Sequence, residues 1–124
     1  MPAPIKVLIA EDNEDLRATV VALLSSEADL LCVADTDDLQ QVVPLARAAG
    51  PQVIVLDIEL NGHSSLTRLA QLRRELPAAQ FLIYSGHGLP ELMKAAMDAG
   101  AREYVLKSGD PDELARAIRR CANG

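Results

Sequence analysis

Five short apolar runs recur along the chain at nearly even intervals: IKVLIA at 5–10, LLCVA at 30–34, VIVL at 53–56, FLIY at 81–84 and YVL at 104–106. Their starts lie 25, 23, 28 and 23 residues apart. Four are almost continuously apolar, as strands covered on both faces should be. The intervening segments have helical spacing instead. Leu16, Val20, Leu23 and Leu24 form one stripe, and Leu66, Leu69, Leu72 and Leu76 another. Leu92, Met93, Ala96 and Met97 form a third, between Pro90 and a stop at Gly100. The last stripe, Leu114, Ala117, Ile118 and Cys121, follows an N-cap Asp110, a first-turn Pro111 and a capping-box Glu113. Leu39, Val42, Ala46 and Ala49 have the spacing too, but Pro44 sits among them, so this second helix is expected to start late or kink. Strands near 5–10, 30–34, 53–57, 81–85 and 103–107, each followed by a helix, predict an α/β (βα)5 fold. Right-handed crossovers then lay helices on both faces of a doubly wound, five-stranded parallel sheet.

At 124 residues, with no linker or low-complexity segment, the chain reads as a single domain over 1–124. No apolar run approaches the ~20 residues that span a bilayer, and the start, MPAPIKVLIAEDNED, is no signal peptide, which predicts a cytoplasmic protein away from membranes. The net charge of -6 argues against a free-standing nucleic-acid binder. The charge is uneven: residues 1–38 hold nine acids and two bases, and the rest is nearly balanced. Cys32 and Cys121, far apart and without a nearby His, read as free thiols rather than a zinc site.

The residues that close each apolar run carry the chemistry. The runs end in Glu11 and Asp12, near Asp35, in Asp57, in Ser85 and Gly86, and in Lys107 and Ser108. In an open parallel sheet these carboxyl ends share one rim, where ligands bind. Clustered acids repel unless a cation compensates them, and oxygen ligands without His or Cys suit a hard cation such as magnesium. Glu11, Asp12 and Asp57 are the ligand candidates. Helix capping is the plainer reading for acids after the first strand; it covers Glu14 and Asp15 but does not explain Asp57. Lys107 as a surface lysine, Tyr104 as a core or interface aromatic, Ser85 as a turn residue and His87 as a solvated loop histidine are the corresponding plain alternatives.

An acidic pair after the first strand (Glu11, Asp12), Asp57 after the third, Ser85 after the fourth, and Lys107 after the fifth with Tyr104 three positions earlier resemble the receiver domain of two-component response regulators. The segments YSGHG and YVLKSGDPDELARAI are most similar to the NarL/FixJ branch. The resemblance implies strand order 2-1-3-4-5 and a phosphorylation-switched signalling module rather than an enzyme. It implies Asp57 as phosphoacceptor, with a sensor histidine kinase or histidine phosphotransfer protein as donor. Magnesium, or manganese in its place, would sit on Glu11, Asp12, Asp57 and the backbone carbonyl of Glu59. Lys107 would pair with a phosphoryl oxygen. Ser85 would bond another and draw in its loop, flanked by Gly86 and His87. Tyr104 would swing into the vacated space. A homodimer is compatible with this class, and nucleic-acid contact would belong to an output segment outside this domain.

Two positions depart from the family: receivers usually carry Pro four and Gly eight residues past the phosphoacceptor, where this chain has Asn61 and Ser65, so residues 58–65 are expected to take a different path. A flavodoxin-like carrier would need a phosphate-binding loop where EDNED stands, and a haloacid-dehalogenase-type phosphatase would need an Asp-x-Asp pair there. The remaining alternative is a pseudo-receiver that acts only as a phosphorylation-independent interaction module.

Overall fold

The computed structural model describes residues 3–123; Met1, Pro2 and Gly124 lie outside the described residues. Strands β1 (Ile5–Ala10), β2 (Leu30–Thr36), β3 (Val53–Leu56), β6 (Gln80–Ser85) and β7 (Glu103–Leu106) build one sheet in the order β2-β1-β3-β6-β7. All four pairings are parallel. Between β3 and β6, a two-stranded antiparallel ribbon, β4 (Glu59–Leu60) and β5 (His63–Ser64), precedes helix α3 (Leu66–Glu75). Counting only the main sheet, this is the expected 2-1-3-4-5 order.

The apolar runs divide their side chains between two cores with period two, because successive residues of a strand point to opposite faces. Leu8, Ala10, Ile54, Leu56, Phe81 and Ile83 face one core. Helices α2 (Val42–Ala49), α3 and α4 (Pro90–Ala99) cover it through Val42, Ala46, Leu69, Leu72 and Ala96. Val7, Ile9, Val53, Val55, Leu82 and Val105 face the other. There α1 (Glu14–Ser25) and α5 (Pro111–Asn123) supply Val20, Leu24, Leu114, Ala117, Ile118 and Cys121. Each fully buried Leu or Ile contributes about 1.5–3 kcal/mol over an exposed one, so the central strands hold little besides apolar residues.

Helix ends follow local chemistry. Asn13, not Glu11 or Asp12, caps α1: its Oδ1 accepts the Leu16 N–H at 2.9 Å. Glu14 and Asp15 fill the first turn, favourable to the helix dipole. Pro44 does delay the second helix: a 3-10 turn at Leu39–Gln41 comes first, and Pro44 then falls within the first turn of α2, where its missing N–H is not needed. Two expectations need correction. Asp110 caps α5 through the Asp112 N–H at 2.9 Å, but Glu113 closes no capping box; its two oxygens bond Arg116 and Arg120. On α4 only Ala96 of the expected stripe is fully buried, and Met93 and Met97 are exposed, since β7 and α3 cover only one side of that helix.

The acidic bias of residues 1–38 resolves largely into structure. Glu27 and Asp29 hold Arg119 at 2.8 and 2.7 Å, tying α5 to the turn before β2. Asp38 caps the 3-10 turn. Asp35, a rim candidate from sequence, instead pairs with Arg17 at 3.2 Å. No helix among the described residues is long and apolar enough to cross a membrane.

Cys121 is fully buried, and burial pushes its thiol pKa up to about 11. The folded value exceeds the unfolded one, so the stability linked to this proton is complete below about pH 9 and is lost as pH rises toward about pH 11. Urea midpoints taken at about pH 8 and about pH 10.5 should show a larger alkaline loss for the native chain than for Cys121→Ala. An equal loss in both proteins would show that other groups govern the alkaline limb.

Candidate functional site

The carboxyl ends of β1, β3, β6 and β7 meet at one rim, and backbone bonds set their register there. The Glu11 N–H donates to the Thr36 carbonyl at 3.0 Å, the Asp57 N–H to Ala10 at 3.1 Å and the Lys107 N–H to Ser85 at 2.8 Å. Glu11, Asp12 and Asp57 each place a carboxylate oxygen within 4.8 Å of the others. Arg17 fixes the backbone beneath them, its Nη1 donating to the Glu11 carbonyl at 2.8 Å.

Lys107 provides the positive charge. Its Nζ lies 2.7 Å from Glu11 Oε1 and 2.8 Å from Asp57 Oδ2, and 5.8 Å above the Tyr84 ring, within cation–π range. The acids are therefore partly compensated. One ammonium against three carboxylates still leaves an excess of negative charge. Burial, opposed by Lys107, raises the Glu11 pKa, and the charge of Asp57 adds to the rise. Asp12 is held below the ordinary carboxylate range, chiefly by the backbone N–H of Asn61 on its Oδ2 at 3.0 Å. Burial opposes the charge of Lys107, but its bonds to Asp57 and Glu11 prevail and raise its pKa.

The residues fit a hard divalent cation. Every donor in the cluster is a carboxylate oxygen. Glu11 Oε2 accepts the Asn13 N–H at 3.0 Å, and its Oε1 meets the Lys107 ammonium at 2.7 Å. A carboxylate oxygen has two lone pairs, so one such contact leaves it acceptor capacity. Glu59 begins β4 with its side chain exposed, and its N–H reaches Asp57 Oδ1 only at 3.4 Å.

Ser85 is fully buried at the end of β6. Its Oγ accepts the His87 N–H at 3.0 Å, and the His87 carbonyl accepts the Tyr104 hydroxyl at 2.7 Å. His87 thus joins the site through its peptide rather than its imidazole. The Tyr104 ring already packs half-buried against the core cluster containing Ile83 and Ala96. Gly86 lies exposed between Ser85 and His87.

Residues 58–65 form a tight hairpin and a buried turn. Asn61 (φ 51°) and Gly62 (φ 82°) both occupy the left-handed region and close the β4–β5 ribbon, as an Asn-Gly pair does in a two-residue hairpin. Ser65 is fully buried, and its Oγ donates to the Asp57 and Ile58 carbonyls at 2.5 and 3.0 Å. Asn61, Ser65 and Arg17 are site residues that the sequence reading missed; the Asn-Gly pair was the available signal.

Lys107→Ala should leave Glu11, nearly fully buried, without its counter-charge. The expected loss is about 3 kcal/mol, the low end for a broken buried pair because Lys107 is partly exposed. An unfolding free energy from urea titration within ~0.5 kcal/mol of wild type, the range of neutral surface changes, would contradict this charge balance.

A family model described as the response regulator receiver domain matches residues 7–119. The chain is 36% identical over 121 residues to the nitrate/nitrite response regulator protein NarP of Escherichia coli (strain K12), covering 98% of this chain and 56% of that protein. The NarL protein of the same strain is 29% identical over 121 residues, with the same 98% and 56% coverage. The chain therefore spans little more than half the length of these curated relatives. Among solved structures, the signal receiver domain of a NarL response regulator from Mycobacterium tuberculosis superposes with TM-score 0.91 at 28% identity, covering 99% of each chain. A LuxR-family two-component response regulator from Aurantimonas sp. SI85-9A1 superposes with TM-score 0.92 at 28% identity, covering 98% of this chain and 87% of that one. With the family model spanning nearly all of the sheet whose rim gathers these acids, the chain belongs to the receiver domains of two-component response regulators.

Proposed function

We propose that this chain, as a single receiver domain over 1–124, is switched by phosphorylation of Asp57. The observation that carries the reading is the Lys107 ammonium bridging Glu11 and Asp57 beside Asp12, on the rim where the strands end. The donor would be a phosphohistidine on a sensor histidine kinase or phosphotransfer protein. A carboxylate oxygen of Asp57 attacks phosphorus, the phosphorus–nitrogen bond breaks, and the imidazole leaves with its electron pair, giving an acyl phosphate. Glu11, Asp12 and Asp57, with the Glu59 carbonyl, would hold magnesium or manganese. The bound cation supplies charge neutralisation for the phosphoryl oxygens. Lys107 keeps its ammonium within reach of Asp57 and can follow the new oxygens as a point charge.

Ser85 carries the response. Its hydroxyl can donate to a phosphoryl oxygen while its Oγ still accepts the His87 N–H. Drawing Ser85 inward then pulls the His87 peptide and, through its carbonyl, the Tyr104 hydroxyl. The module is a regulator; the only chemistry assigned to it is its own phosphoryl transfer and dephosphorylation.

Labelling with acetyl phosphate and magnesium should modify wild type and not Asp57→Asn. Label retained in that variant would move the acceptor elsewhere, and no label in wild type would favour the phosphorylation-independent interaction module. Magnesium at about 100 times its dissociation constant should also raise the folding stability by about 2.7 kcal/mol.

Ser85→Ala should still accept label, since Asp57 and Lys107 remain, yet lose most of the response at Tyr104. One charge-assisted hydrogen bond of about 1.5–3 kcal/mol is comparable to the gap between two such states. Ring and amide signals of Tyr104, with and without beryllofluoride, test this. Equal shifts in wild type and variant would show that the signal bypasses Ser85.

A further inference from the structure

Asn61 ties together three loops far apart in sequence. Its backbone N–H donates to Asp12 Oδ2 at 3.0 Å, and its Nδ2 donates to the Asp37 carbonyl at 2.6 Å. The first bond spans 49 positions and the second 24. Both depend on the hairpin: the left-handed backbone at Asn61 and Gly62 closes the turn between Leu60 and His63. Leu60 is fully buried and anchors the ribbon in the core. A proline at position 61 could make neither bond, having no N–H, no side-chain amide and a φ fixed near −65°.

We propose that Asn61 is a positioning residue for the cation site, holding the Asp12 carboxylate ready through its backbone N–H. This rests on the reading of the acidic cluster as the magnesium site of an Asp57 phosphoacceptor. A carboxylate has lone pairs on both oxygens, so one N–H on Oδ2 fixes its orientation and leaves acceptor capacity toward Glu11 and Asp57. Partners that hydrogen-bond a ligating carboxylate typically change metal affinity 10–100-fold when removed. Asp12 is the acid of the cluster that Lys107 does not contact within ion-pair distance, so orientation by this N–H replaces orientation by an opposite charge. The Nδ2 bond to Asp37 braces the turn from the far side.

Isothermal titration with magnesium alone, without phosphodonor, tests the assignment on three proteins. Asn61→Gly keeps the N–H and tolerates the left-handed backbone, so its dissociation constant should stay within about threefold of wild type. Asn61→Pro removes the N–H and should bind magnesium at least about 10-fold more weakly. Equal affinity in wild type and Asn61→Pro overturns the proposal. Equal weakening in both variants also overturns it, because the effect then belongs to the side-chain amide that both variants lose.

Hydrogen exchange at the Asn61 amide supplies a second readout should Asn61→Pro fold poorly. The wild-type amide should be protected, and Asp12→Ala should release that protection; exchange unchanged by Asp12→Ala overturns the proposal. Acetyl-phosphate labelling of wild type separates the two levels. If wild type takes label at Asp57 with magnesium while Asn61→Pro binds the ion normally, only the positioning role fails. If wild type neither binds magnesium nor takes label, the phosphoacceptor reading and this proposal fail together.

Discussion

Strands β1, β3 and β6 are covered by helices on both faces, and this double burial governs where polar groups can go. A polar side chain within these strands would need a partner in the core, and an unpaired one would cost several kcal/mol. The central strands accordingly contain a run of residues with almost no exposure: Val7 to Ala10, Val53 to Leu56 and Phe81 to Ile83. Polar chemistry begins at the ends of these runs, where Glu11 and Ser85 are still buried and Asp57 is partly exposed. Because the strands are parallel, those residues share one rim, and carboxylates separated by 45 positions in sequence become neighbours.

Charge balance at the rim shapes what can happen there. Lys107 alone bridges Glu11 and Asp57, while Asp12 leans on a backbone amide from the ribbon. The cluster is thus compensated enough to exist in the folded chain and negative enough to favour a divalent cation. Ser85 and Tyr104 stand apart from these charges but share the His87 peptide, one on its N–H and the other on its carbonyl. Met93 and Met97 lie exposed on α4, and Leu106 lies exposed at the end of β7.

The segment between β3 and α3 is held to the acidic cluster by hydrogen bonds. Where the family pattern led to Pro and Gly, Asn61 and Ser65 supply hydrogen bonds to Asp12 and to the Asp57 carbonyl. A buried hydroxyl and a hairpin amide hold the backbone around Asp57.

Much of this was legible from residue order alone. Continuous apolar runs fixed the strands and their double burial, and the polar residue ending each run named Glu11, Asp12, Asp57, Ser85 and Lys107, because the end of cover is a local property of the chain. Pro44 likewise announced a late helix, since its missing N–H acts at its own position. Contacts between distant segments were not legible. The diversion of Asp35 to Arg17, the use of Glu113 by Arg116 and Arg120, and the exposure of Met93 and Met97 depend on which neighbour reaches a side chain first. The same holds for Asn61: the Asn-Gly pair encoded a left-handed turn, but only the meeting of the ribbon with the segments after β1 and β2 decided that its amide would meet Asp12 and its side chain Asp37. Local sequence sets backbone preference and burial, whereas a hydrogen bond across 49 residues exists only once the sheet has brought its two ends within 3.0 Å.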